Sequence, residues 1–94
     1  MKSKITGQDK LFIKPNISYR SLGDETVLLN LDTNIYYSLN STAKFFWDNL
    51  EEYNSVNAAA QLMQSRYDAP ADRISQDLLE LANDLFAEGF VTVH

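Results

Sequence analysis

Four carboxylates, Asp77, Glu80, Asp84 and Glu88, recur at three- and four-residue steps. On a helix that spacing puts them along one side, where they could attract a cation. One helix face cannot wrap a Ca²⁺ in six to eight oxygens, so the pattern equally describes a solvated face. Tyr36–Tyr37 is the second candidate, as a platform on which nucleobases could stack. No basic residues stand beside it, and the plainer reading puts Tyr37 in the core and Tyr36 over the outer sheet face. Beyond these the chain is poor in chemistry. It has no cysteine, and its one histidine is His94. Thiol catalysis, disulfides and Cys-ligated metals are therefore excluded, and a multi-His site nearly so. No Gly-rich phosphate loop, G-x-S-x-G or H-E-x-x-H is present. No catalytic residue, metal or cofactor is expected.

Length points the same way. Ninety-four residues leave room for one core, since domains cluster near ~100 residues. A core this thin does not readily enclose a substrate cleft, which favours a surface-binding module over an enzyme. The net charge of −5 is unevenly placed. Residues 1–20 hold Lys2, Lys4, Lys10, Lys14 and Arg20 against Asp9, a net +4. Residues 21–94 hold three cations against twelve acids, a net −9. A body of that sign repels phosphate, so no nucleic-acid partner is expected. No apolar run reaches the ~18–20 residues of a membrane span, and no hydrophobic signal region follows Lys2 and Lys4. No membrane partner and a cytoplasmic location are expected.

The elements that must position any site follow from periodicity. Residues 1–14 are expected to form a flexible basic arm, with Leu11–Ile13 either a strand or an anchor, and 15–94 the folded domain. From Ile17 the period is two. Gly23–Asp24 marks a turn, 25–31 a strand, Asp32–Asn34 a second turn and 35–39 a third strand. Asn34 is one of the few residue types besides glycine that tolerate a left-handed backbone. After Leu39 the period becomes 3.6. Asn40 or Ser41 caps a helix whose buried stripe is Ala43, Phe46, Trp47 and Leu50. Ser55 caps a second helix carrying Val56, Ala59, Ala60, Met63 and Tyr67. Asp68–Pro70 breaks it, and a third helix spans about 71–88 on a spine of Ile74, Leu78, Leu81 and Leu85. Gly89 supplies the left-handed stop, and Phe90, Val91 and Val93 make an apolar tail. The expected class is α+β and winged-helix-like: a three-stranded antiparallel β-meander followed by three α-helices.

Two features of that layout point to binding. In DNA-binding winged helices the last helix enters the major groove. Here it carries Asp72, Asp77, Glu80, Asp84 and Glu88 against Arg73 alone, which opposes DNA. The third strand of the meander has no Lys, Glu or Pro, the residues that normally defend a sheet edge. Either the arm around Leu11–Ile13 covers this edge, or it receives a strand from a peptide. The third helix has an apolar arc of about 160°, wider than one-sided burial requires. Phe45 lies off its helix's stripe and packs under the arm or marks a docking surface.

At this point the residues resemble the PqqD-like proteins, the RiPP recognition elements that hold precursor peptides during modification. The resemblance covers about Lys14 to Val91. It rests on Pro15, Arg20, the run Val27-Leu28-Leu29-Asn30-Leu31-Asp32, and Tyr36-Tyr37-Ser38-Leu39-Asn40. Ser41-Thr42-Ala43-Lys44-Phe45-Phe46-Trp47 follows, then Tyr67–Asp68, the helix with Ile74, Asp77, Leu78, Leu81, Ala82 and Leu85, and Gly89-Phe90-Val91. One departure is Asn34, where the family often has glycine; asparagine keeps the turn. The resemblance implies that a leader peptide adds as a strand to the third strand, beside the third helix. Carried onto this chain, the edge is Asn34, Ile35, Tyr36, Tyr37 and Ser38, and the helix wall is Asp77, Leu78, Leu81, Asp84 and Leu85. It implies a separate partner enzyme, a leader peptidase as in lasso-peptide pathways or a radical SAM enzyme as in the PQQ pathway. A strand-swapped homodimer is a further consequence of an open edge. The reading from another class is a winged-helix-type interaction or regulatory module without a peptide substrate.

Overall fold

The chain runs β1 (Leu11–Ile13), β2 (Ile17–Leu22), β3 (Glu25–Asn30), β4 (Ile35–Leu39), α1 (Ser41–Tyr53), α2 (Val56–Gln64), α3 (Ala71–Ala87) and β5 (Val91–Val93). The computed structural model describes residues 5–93, apart from the side chain of Glu51. Lys2, Lys4 and His94 lie outside the described residues. The expected meander is β2-β3-β4, antiparallel throughout, with its third strand being β4. Its first hairpin pairs Leu22 with Glu25 around Gly23–Asp24. Its second closes where Asn34, at φ 62°, donates its N–H to the Asn30 carbonyl at 2.7 Å. Alternation then sorts the side chains. Thr26, Leu28 and Asn30 face inward and are buried, while Val27 and Leu29 are half-buried on the other face. Leu28 stands opposite Tyr19 and Tyr37, and Thr26 opposite Leu39.

The helices cover the inner face. Asn40 caps α1 by accepting from the Ala43 N–H at 2.9 Å, and Ser55 caps α2 by accepting from Ala58 at 3.1 Å. Phe46, Trp47 and Leu50 of α1, Met63 of α2, and Ile74, Leu78, Ala82 and Leu85 of α3 meet in one core. Full burial of a side chain of this size contributes about 1.5–3 kcal/mol. Tyr67, expected on the buried side of the second helix, lies three residues beyond its end and is exposed. Gly89 adopts φ 81° and turns the chain, so that Phe90 returns its N–H to the Leu85 carbonyl at 2.8 Å.

The described part of the N-terminal segment is anchored at several points, and Leu11–Ile13 is the strand of the two expected alternatives. Ile5 and Leu11 are fully buried. The Ile5 N–H donates to Asn83 Oδ1 of α3 at 2.7 Å. β1 pairs with β5, Leu11 opposite Val93 and Ile13 opposite Val91, making a second two-stranded sheet. Asn54, which ends α1 in a left-handed conformation, ties this sheet down: its Nδ2 donates to the Leu11 carbonyl at 3.0 Å. Composition hides this packing because the apolar anchors are single residues among polar ones. The consequence for function is direct. Leu11–Ile13 is committed to β5, and among the described residues β4 pairs only with β3.

Candidate peptide-binding site

The open edge of β4 lies beside α3. Tyr37 points from the inner face of β4, stacks edge-on against Phe90 with 5.8 Å between ring centroids, and turns its hydroxyl toward the Asp84 carboxylate. Glu88 is the next charge along the helix to act on this hydroxyl. At the other end of β4, Asn40, Thr42 and Ala43 share a pocket of about 340 Å³ with Asp77, Leu78 and Leu81. Strand and helix therefore run antiparallel, with the Tyr37 end of β4 level with Asp84 and the Asn40 end level with Asp77–Leu81. The spacing agrees: six residues of helix rise about 9 Å and three residues of strand about 10 Å. A second hollow of about 340 Å³ adjoins the first, lined by Met63, Tyr67, Pro70, Ile74 and Leu78, and both include Thr42 and Asp77. The result is one groove. It starts at Asn40, the residue after β4, and continues between α1 and the first half of α3.

Each residue expected at the site has a definite place. Asn34, Ile35, Tyr36 and Ser38 are exposed on the β4 side, Tyr36 at 67%. Tyr37 is half-buried and bridges to the helix. Leu81 is half-buried and lines the groove, and Leu78 reaches it from the core. Asp77 is exposed at the rim and pairs loosely with Arg73 at 3.7 Å. Such an exposed pair contributes at most about 1 kcal/mol. Asp84 is exposed beside Tyr37. Leu85 sits in the core, fully buried, and supports the helix from behind. Asn40, Thr42 and Ala43 were not among the expected site residues. Their signal was the immediate succession of strand and helix, which brings the first turn of α1 against the end of β4. Phe45 neither packs under the arm nor stands bare: Tyr67 meets it edge-on with centroids 5.9 Å apart, and the Arg66 guanidinium lies 5.2 Å over its ring.

Burial pushes the Tyr37 hydroxyl above its ordinary value of 10.0, and the charges of Asp84 and Glu88 add to the shift. The protonated form is thus favoured by folding. Its contribution is fully present below the pKa of the unfolded tyrosine and is lost as pH rises through the higher folded value. Urea midpoints of the native chain should fall more steeply between about pH 9 and 11 than those of Tyr37→Phe, which has no such proton to lose. Parallel slopes would show that folding does not favour the protonated hydroxyl.

No curated protein matches this chain. Among solved structures, lasso peptide synthetase B1 complexed with the leader peptide is 25% identical. The match covers 88% of this chain and 98% of that one, at a TM-score of 0.80. TbiB1 in complex with the TbiA(beta) leader peptide is 23% identical over 84% of this chain and 92% of that one, at a TM-score of 0.78, a likeness of fold. No described helix is long and apolar enough to cross a membrane. The family described as coenzyme PQQ synthesis protein D (PqqD) matches residues 25–91, a span that runs from β3 through the open edge and α3 to β5. The chain belongs to the PqqD family.

Proposed function

We propose that this chain is a non-catalytic leader-peptide-binding protein of the cytoplasm. It captures a ribosomally made precursor by strand addition to β4 and presents it to a separate enzyme, a leader peptidase or a radical SAM enzyme. The observation that carries the reading is the edge of β4, unpaired among the described residues, with Tyr37 reaching from that strand toward Asp84 of α3. Main-chain hydrogen bonds along β4 give affinity, and side chains entering the groove give selectivity. Asn34, Ile35, Tyr36, Tyr37 and Ser38 form the edge, and Asp77, Leu78, Leu81 and Asp84 the wall, with Leu85 behind it. The complexes of both solved relatives with leader peptides support this reading. The protein then acts through effective concentration, holding the substrate where the enzyme works. The basic segment 1–14 is expected to lie outside the peptide-recognition domain in function, although residues 5–14 pack on it.

An ¹⁵N NMR titration with the leader of the precursor encoded beside this gene tests the reading. Amides of residues 35–38 should shift together with those of 77–84. Shifts confined to α2, or no binding, would overturn it. Exposed Asp77 and Asp84 are placed to meet a Lys or Arg of the leader. Asp84→Lys should then weaken binding about fivefold at low salt and little at high salt. Equal affinity of the two proteins across salt would remove that role. A strand-swapped homodimer would use the same edge, so it should dissociate as leader is added.

A further inference from the structure

Tyr37 stands between strand and helix. It shares the inner face of the sheet with Ile35 and Leu39, because their partners on β3 are the inward residues Leu28, Asn30 and Thr26. Its ring lies edge-on to Phe90, which is fully buried, and its hydroxyl turns toward Asp84 of α3. Phe90 is itself held in place, since Gly89 before it turns at φ 81° and is tied through its carbonyl to Asn30 Nδ2. The Tyr37 ring therefore leans across to α3 on a fixed support. A side chain seated in this way does not move aside without cost, because folded interiors are densely packed.

The Leu39 end of β4 is different. There the hollow lined by Asn40, Thr42, Ala43, Leu78 and Leu81 opens beside α3. Neither Tyr37 nor Asp84 lines that hollow or the one adjoining it. The space next to α3 is thus filled by a ring at Tyr37 and open two residues further along the strand. A strand added to β4 would set each side chain on the same face as the β4 residue opposite, with Cβ atoms about 4.5–5.5 Å apart. The side chain opposite Tyr37 would meet the ring. The one opposite Leu39 would point toward the hollow.

We propose that Tyr37 is a specificity-determining residue, a size filter that admits only a small side chain at the leader position opposite it. This rests on the leader-binding reading above and deepens it. The leaders it selects carry Gly, Ala or Ser at that position. Bulky side chains are accepted two residues away, opposite Leu39. The filter works by exclusion, through a clash built against the wrong peptide.

The test uses a synthetic, fluorescein-labelled leader of the precursor encoded beside this gene. Each residue of its bound segment is replaced in turn by Trp, and anisotropy gives the affinity of each peptide relative to the unaltered leader. Against the native chain, Trp should cost about tenfold or more opposite Tyr37 and less than about threefold opposite Leu39. Against Tyr37→Ala the first penalty should shrink to about threefold or less, whereas Tyr37→Phe, which keeps the ring, should retain it. Ratios are compared within one protein, so a general loss of affinity in a variant does not imitate the result. Should Tyr37→Ala lose its thermal transition, Tyr37→Val is read in its place. A native chain that accepts Trp at every position would overturn the proposal. So would a penalty of equal size in the native chain and in Tyr37→Ala. A native chain that binds no leader removes the leader-binding reading and the filter with it, while a leader bound without the filter removes the filter alone.

Discussion

Asn30→Ala is expected to lower the unfolding free energy by about 3 kcal/mol and to weaken leader binding with it. Asn30 is 2% exposed and bonds through both ends of its amide. Its Oδ1 accepts from Asn16 Nδ2 at 3.0 Å and from the N–H groups of Asp32 and Thr33 at 2.9 and 3.3 Å. Its Nδ2 donates to the Gly89 carbonyl at 3.0 Å. One side chain thus organises the turn before β4 and fastens it to the chain just past α3. Truncation strands several polar groups at once, each costing about 1–3 kcal/mol where water cannot reach. Asn30→Asp is the sharper variant, because it keeps the acceptors and sets a carboxylate oxygen against the Gly89 carbonyl. Gly89→Ala should strain the same joint from the other side, by about 1–2 kcal/mol. There a Cβ would stand 3.0 Å from Asn30 Nδ2 at a backbone φ of 81°. Urea unfolding measures all three. A loss below about 1 kcal/mol for Asn30→Ala would mean that water replaces the side chain without consequence.

The second large effect concerns the peptide. β4 offers five residues of edge, about 17 Å of strand, so the bound segment should be about as long. If it adds as a strand, alternate residues turn their N–H groups toward β4 and the others away. N-methylation of the leader, one residue at a time, should cost about tenfold in affinity at every second position and little between. Each methyl removes a donor and leaves an acceptor on β4 without its partner. The protein is untouched, so loss of fold cannot imitate the result. A flat profile, or one following a three- and four-residue period, would replace strand addition by helix-in-groove docking.

Much of this architecture was legible in local chemistry. The change from a period of two to 3.6 after Leu39 located the meander and α1, because side-chain direction alternates in strands and advances 100° per residue in helices. Asn40 or Ser41 stood out as the first cap, Ser55 as the second and Gly89 as a left-handed stop, since few residue types satisfy a helix end. The absence of Lys, Glu and Pro from β4 marked the edge. The second sheet was not legible. Leu11–Ile13 is too short to carry a period, and its partner β5 lies some eighty residues away. Nor was the split within the apolar arc of α3, where Leu85 turned inward and Leu81 stayed at the groove.

The sequence by itself determined the class of the protein: an acidic α+β chain without cysteine and with an undefended strand. These are local or additive properties, and they survive without knowledge of contacts. Only the tertiary structure decided that the edge is open among the described residues, because that depends on where Leu11–Ile13 goes. Only it brought Tyr37 to Asp84 and Asn30 to Gly89, pairs joined across 47 and 59 positions. Such contacts are set by how strands and helices pack once formed, and no periodicity along the chain encodes them.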